Sequence, residues 1–168
     1  NGLVEIAVKR VQGQFRSIKA NMEDRYNKKI GKSDDTIPWM LRHAGNILSR
    51  FGVRSDGKSP HEIIKGRKFK KVQTEFGECV WYLKPKSKGK DKFGSDSRWD
   101  TGIWLGIREE SGESIIGTKD GIIKVNFWKR KGSEEERWGV KDLESLRGVP
   151  WEVIPGREGI ELKTRVLI

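Results

Sequence analysis

Glu5, Lys9, Gln12, Arg16 and Lys19 follow one another at steps of four, three, four and three residues. On a helix that spacing gathers them into one polar stripe. Glu5 is the only acid before Glu23, while Lys9, Arg10, Arg16 and Lys19 surround it with positive charge. Two readings fit the stripe. In one, the carboxylate stands at the mouth of an active site and the donors behind it run as a ladder along a phosphate backbone. In the other, the stripe is a solvated helix face on which Glu5 and Lys9 form a pair worth roughly 0.2–0.5 kcal/mol.

The element that must carry the stripe is legible beside it. Val4, Val8, Val11, Phe15, Ile18, Met22 and Tyr26 recur at three- and four-residue steps, which makes them the apolar face of a long amphipathic helix. At 1.5 Å per residue, Val4 to Tyr26 spans roughly 33 Å, the width of a small domain. Gly13 costs the helix about 1 kcal/mol against Ala, which packing must offset. "NKKIGKSDD" ends it as a turn. A second helix is expected over 36–51, with Thr36 as N-cap, Pro38 in the first turn, and Trp39, Ala44, Ile47, Leu48 and Phe51 buried. One short helical turn follows at 60–65, ended by Gly66.

From Phe76 the period changes to that of strands. "FGECVWYLKP" and "WDTGIWLGIRE" read as two, and "SIIGTKDGIIKVNFWKR" as two more about a Lys-Asp-Gly turn. Short strands at this spacing point to a small antiparallel barrel, within which Phe76, Val80, Trp104, Leu105, Ile122 and Val125 are expected to be buried. Alternation places Ile122, Lys124, Asn126 and Trp128 on one face, Ile123, Val125 and Phe127 on the other, and leaves either Ile122 or Ile123 partly exposed. Between the first two strands lies a Lys-rich polar loop, "KPKSKGKDKFGSDSR". The last segment reads as one short helix and a coil, packed back by Trp138, Leu143, Leu146 and Trp151.

The chain of 168 residues carries a net charge of +11, unevenly spread. Residues 1–75 hold 17 Lys and Arg against 8 Asp and Glu, whereas residues 132–168 hold 6 against 8. The basic bias fits a polyanionic partner, most often nucleic acid, and equally a solvated basic face. Cys79 is the single cysteine, and His43 and His61 are far apart, so neither a disulfide nor a zinc motif has support. No apolar run approaches the ~20 residues of a membrane span.

"NGLVEIAVKRVQGQFRSIK" resembles the last catalytic motif of retroelement integrases, in which a short turn leads to a Glu at the start of a long helix. The resemblance continues in order. "IPWMLRHAGNILSRF" looks like the Trp-plus-Asn/Arg helix of copia-type (LTR) retrotransposon integrases, and "GKSPHEIIKGRK" is similar to their Thr-Pro-Tyr-Glu-like segment, with His61 where the family often has an aromatic. "FGECVWYL" and "RWDTGIWLGI" match the strands that follow, so the likeness spans about residues 1–130. No single motif is decisive; their order carries the resemblance.

The resemblance implies an α+β chain in three parts. Residues 1–71 would be the helical carboxy-terminal part of a ribonuclease-H-like catalytic core, 72–131 a small SH3-like DNA-binding barrel, and 132–168 an extension packed on that barrel. Glu5 would be the third acid of an Asp-Asp-Glu triad and a ligand to Mg²⁺; both aspartates and the family's zinc-binding module would lie upstream of Asn1. Three carboxylates would hold two Mg²⁺ ions about 4 Å apart for phosphoryl transfer. A lone carboxylate cannot do so, and the chain alone is expected to be inactive. The expected DNA-binding residues are Lys9, Gln12, Arg16, Lys19, Arg67, Lys68, Lys70, Lys71, Arg98, Lys129 and Arg130. The family also implies multimers on DNA, a nuclear site of action after cytoplasmic assembly, and no membrane. Two other readings stay open. One is a non-catalytic, domesticated nucleic-acid-binding module. The other is a peptide-binding barrel with Trp81, Trp99, Trp104 and Trp128 lining an aromatic cage, where Trp in a small barrel is more often core.

Overall fold

The apolar stripe of the first 26 residues folds as expected into α1 (Gly2–Tyr26), a helix of 25 residues, but only its second half is covered. The computed structural model describes residues 1–84 and 98–157. Ile18, Met22 and Tyr26 are buried and Val11 and Phe15 are packed against the same core, whereas Val4 and Val8 are exposed together with Leu3 and Ile6. The helix stops at Asn27, which adopts the left-handed conformation (φ 48°) and donates its N–H to the last carbonyls, a role open to Asn because its short side chain tolerates αL.

The second helix, α2 (Thr36–Phe51), matches the expected span but differs in its cap and buried face. Asp35, not Thr36, holds the cap position, and Asp34 does the capping chemistry: its Oδ1 accepts from Thr36 N at 2.9 Å and from Thr36 Oγ1 at 2.6 Å. Trp39 and Ala44 are buried as expected, with Met40 and His43 beside them. Phe51 is exposed and Arg50 is buried in its place, because the Arg50 guanidinium reaches the Ile107 carbonyl at 3.0 Å and lies over the Phe69 ring. The short α3 (Pro60–Lys65) has Pro at its start, a Ser59/Glu62 capping box and Gly66 in the left-handed conformation after it.

Five antiparallel strands follow: β1 (Cys79–Leu83), β2 (Trp99–Ile107), β3 (Ser114–Thr118), β4 (Gly121–Val125) and β5 (Trp128–Arg130). The sheet order is β4-β3-β2-β1-β5. Its edge strands, β4 and β5, are joined by Asn126 and Phe127 alone, so the sheet must curl enough to bring the end of β4 near the start of β5. This two-residue break corrects the expected alternation: "GIIKVNFWKR" is two strands, and Trp128 pairs with Tyr82 and packs with Val125 rather than sharing the Ile122 face. Between Trp104 and Ile107, β2 gains one residue on β3, a bulge centred on Gly106 at φ +116°, where a Cβ would meet the His43 ring at 2.9 Å.

The sheet is apolar on both faces. Cys79, Ile103, Ile115 and Ile122 join α1 and α2 in one core; Val80, Tyr82, Trp104, Ile116 and Val125 form a second on the other side. All six residues expected in the core of the sheet region, Phe76, Val80, Trp104, Leu105, Ile122 and Val125, are buried, and Ile123 is the partly exposed isoleucine.

The carboxy-terminal segment forms two short helices, α4 (Glu134–Arg137) and α5 (Val140–Ser145), where one was expected. Trp138, Leu143 and Leu146 are buried in the first core, Trp138 standing edge-on to Tyr26 at 5.3 Å. Trp151 is exposed, and Val153 takes the packing position instead. Trp39 Nε1 donates to the Gly148 carbonyl and Gly148 N to Asp35, so α2 is tied directly to this segment. The fold is thus α+β, helices packed on an antiparallel sheet, with one core drawn from all three stretches of the chain. Among the described residues no helix is long and apolar enough to cross a membrane. The Lys-rich loop is described only at its ends, Lys84 and Arg98; its Lys-rich middle lies outside the described residues.

Candidate nucleic-acid interface

Lys71 and, 58 residues on, the consecutive Lys129 and Arg130 line one open groove of about 520 Å³. The strand that follows the sheet's last turn supplies two of them, and the coil that enters the sheet supplies the third. Val72, Gln73, Asn126, Phe127 and Trp128 also line the groove, and no carboxylate does among the described residues. Lys71 Nζ donates across it to the Gly112 carbonyl. Lys129 lies over the Trp99 ring at 4.4 Å, which leaves its charge unneutralised.

Arg130 is held differently. Its Nε and Nη2 donate to the two oxygens of Glu78 at 2.7 and 3.1 Å, and Thr74 Oγ1 also bonds that carboxylate. Glu78 has no exposed surface, and this pairing supplies the partners a buried carboxylate needs. The hydrogen bond to Glu78 raises the Arg130 pKa. Arg130 is exposed as expected but is spent in large part on a structural partner. Lys19 is likewise spent, on Glu23 at 2.7 Å, whose carboxyl is lowered to about 2 by the Ile30 backbone N–H and by Lys19.

The other candidates are exposed and dispersed. Lys9, Gln12 and Arg16 lie along the uncovered part of α1, and Arg67, Lys68 and Lys70 on the coil after α3; none of these forms an ion pair or side-chain hydrogen bond among the described residues. Arg98 donates to the Lys84 carbonyl at 3.3 Å. Glu5 sits in the first turn of α1, fully on the surface, where the helix macrodipole favours an anion. The Glu5–Lys9 pair of the solvated-face reading does not form.

Glu5 does not find metal-binding company. Among the described residues no group of three or more His, Cys, Asp or Glu side chains could hold a metal ion. Glu5 and its described neighbours therefore do not by themselves form a Mg²⁺ site.

The aromatic cage is corrected by strand register. Trp81 lies opposite Thr101 and Lys129, and Trp99 opposite Leu83, which puts Trp81 and Trp99 on one face. Trp128 lies opposite Tyr82, on the face of the wholly buried Trp104. Two pairs on opposite faces cannot enclose one cation. Trp81 is instead covered by Lys131 at 4.7 Å.

Sequence reasoning missed Phe127, which is 67% exposed at the groove, and Glu78, the anchor of Arg130. A lone Glu inside "FGECVWYL" was the available signal for the second: an acid on a buried strand demands a cation. The buried groups elsewhere are structural in character. Burial pushes Cys79 up to about 11, which makes its thiol inert, and burial, then Arg50, pushes His43 down to about 4. No protein-family model, curated protein or solved structure matches the chain.

Proposed function

We propose that the chain is the carboxy-terminal part of a copia-type retroelement integrase that binds DNA. In this reading α1 to α3 close a ribonuclease-H-like core, and the curled sheet is a small SH3-like barrel whose strand order, β4-β3-β2-β1-β5, suits such a barrel. The observation that carries the nucleic-acid part is the groove with three cations and no carboxylate among its described lining. Phosphates entering it meet Lys71, with the Lys129 charge close by over Trp99, while the Arg130 charge is shared with Glu78. Glu5 is the residue offered to a Mg²⁺-dependent strand-transfer site of the longer polypeptide. The intact protein would act as a multimer on DNA, in the nucleus after cytoplasmic assembly.

A second reading, a non-catalytic nucleic-acid-binding module, is favoured by one observation: the groove owes nothing to Glu5. Both readings predict binding. Titration of duplex and single-stranded DNA with the 168-residue chain at two salt concentrations tests them together, because released counterions make affinity for either fall steeply as salt rises. Binding that is absent at low salt, or indifferent to salt, overturns both. Mg²⁺-dependent joining of DNA ends by the longer polypeptide then separates the integrase from the module.

A further inference from the structure

We infer that the groove beside β5 is built for an unpaired strand of nucleic acid rather than for a duplex; the inference rests on the nucleic-acid reading above and narrows its substrate. The argument starts from Phe127. Its ring is 67% exposed, yet it is not on a loose loop: it occupies the two-residue step between β4 and β5, and its carbonyl accepts the Leu83 N–H at 3.0 Å. The backbone on both sides is fixed by strand pairing, so the ring cannot turn inward without breaking the sheet. Val72, 78% exposed, lines the same groove.

Such apolar surface gives nothing to the sugar-phosphate exterior of a duplex, whose bases are already stacked inside. An unpaired strand offers the π-face of a base, and stacking on an aromatic side chain tolerates any sequence. The flanking groups suit the rest of a nucleotide. Lys71 meets phosphate, Lys129 adds its charge from the Trp99 side of the same strand, and Gln73 and Asn126 carry amides with no side-chain hydrogen bond among the described residues, free to meet a base edge. A volume of about 520 Å³ lies within the range of ligand clefts and is open enough for a strand to pass through. Charge decides between occupants. A second copy of this chain, at +11, would bring net positive charge to a groove that has cations and no acid among its described lining.

The test uses the 168-residue chain and two labelled probes, an oligothymidine of about 12 nucleotides and a blunt duplex of the same length, followed by fluorescence anisotropy at low salt. The oligothymidine is expected to bind about tenfold more tightly than the duplex. Phe127→Leu, which keeps apolar bulk and removes the π-face, is expected to erase about tenfold of single-strand affinity and to leave duplex affinity unchanged, and Phe127→Trp to restore it. Equal affinity for the two probes, or an equal loss on both with Phe127→Leu, overturns the unpaired-strand inference while leaving DNA binding in place. Failure of both probes to bind overturns the nucleic-acid reading itself.

Discussion

Arg130 lies half in solvent and half in the protein, its guanidinium forked on the two oxygens of Glu78, a carboxylate with no exposed surface. Removing the arginine leaves a buried anion with Thr74 and, at 3.9 Å, Arg137 as its remaining neighbours. A fully buried pair broken in this way costs about 3–5 kcal/mol. Because Arg130 is 48% exposed and water can replace it in part, Arg130→Ala is expected to cost about 2–3 kcal/mol by urea unfolding. Glu78→Gln, which removes the charge but keeps a hydrogen-bonding group, is expected to cost less. If Arg130→Ala unfolds at the parental urea midpoint, the pair is not holding the sheet edge.

The neighbouring lysines should behave in the opposite way. Lys71 and Lys129 are exposed, hold no carboxylate, and line the same groove. Lys129→Gln is expected to leave stability within about 0.5 kcal/mol of the parent, as surface substitutions do. Each of the two Gln variants should reduce the slope of log affinity against log salt on the oligothymidine probe by about 0.7. A slope unchanged in the double variant would place the phosphates elsewhere, along α1 or the coil after α3.

How much of this was readable in advance follows from where information sits in a chain. The α1 helix, the 36–51 helix and the Ser59-Pro60 start of α3 are written in local spacing and capping residues, which sequence shows directly. What α1 buries is not local. Val4 and Val8 repeat the pattern of Ile18 and Met22 but have nothing above them, because cover depends on which elements reach that far. The swap of Phe51 for Arg50 has the same origin: the Ile107 carbonyl and the Phe69 ring, distant in sequence, make a buried guanidinium tolerable. The groove is legible only as separate lysines, since the pairing of β5 with β1 brings residues 71 and 129–130 to one place.

His43 gives the fold a pH dependence that the carboxylates do not. Its ring is buried, stacked on Phe76 and edge-on to Trp104, with Nδ1 unpartnered; burial first, then the Arg50 charge, lowers its pKa from 6.5 to about 4. The unfolded chain therefore takes up this proton before the folded one does. Stability from the neutral ring is whole above about pH 6.5 and drains as pH falls toward 4. Between pH 7 and pH 5 the loss is about 2 kcal/mol, which lowers the melting temperature by about 4–8 °C. Glu75, Glu110 and Glu113, held below the ordinary carboxyl value of 4.5, stay ionised throughout that window. In His43→Leu the fall between pH 7 and pH 5 is expected to flatten, whatever its absolute stability. An equal fall in the variant would assign the titration to another group.

Glu5 separates the two nucleic-acid readings. It is exposed in the first turn of α1, bonded to nothing among the described residues, and followed along the helix by the exposed Lys9, Gln12 and Arg16. As a plain surface acid it repels phosphate, so Glu5→Gln in the 168-residue chain is expected to leave DNA affinity equal or up to about twofold tighter. As a metal ligand in the longer polypeptide it is expected to be indispensable: one carboxylate of three cannot be replaced by an amide without losing the charge that holds Mg²⁺. There the same substitution should abolish Mg²⁺-dependent joining of DNA ends while DNA binding persists. If the longer polypeptide with Glu5→Gln joins ends at the parental rate, the integrase role of Glu5 fails, and the first turns of α1 are a basic helix bearing one unneeded acid.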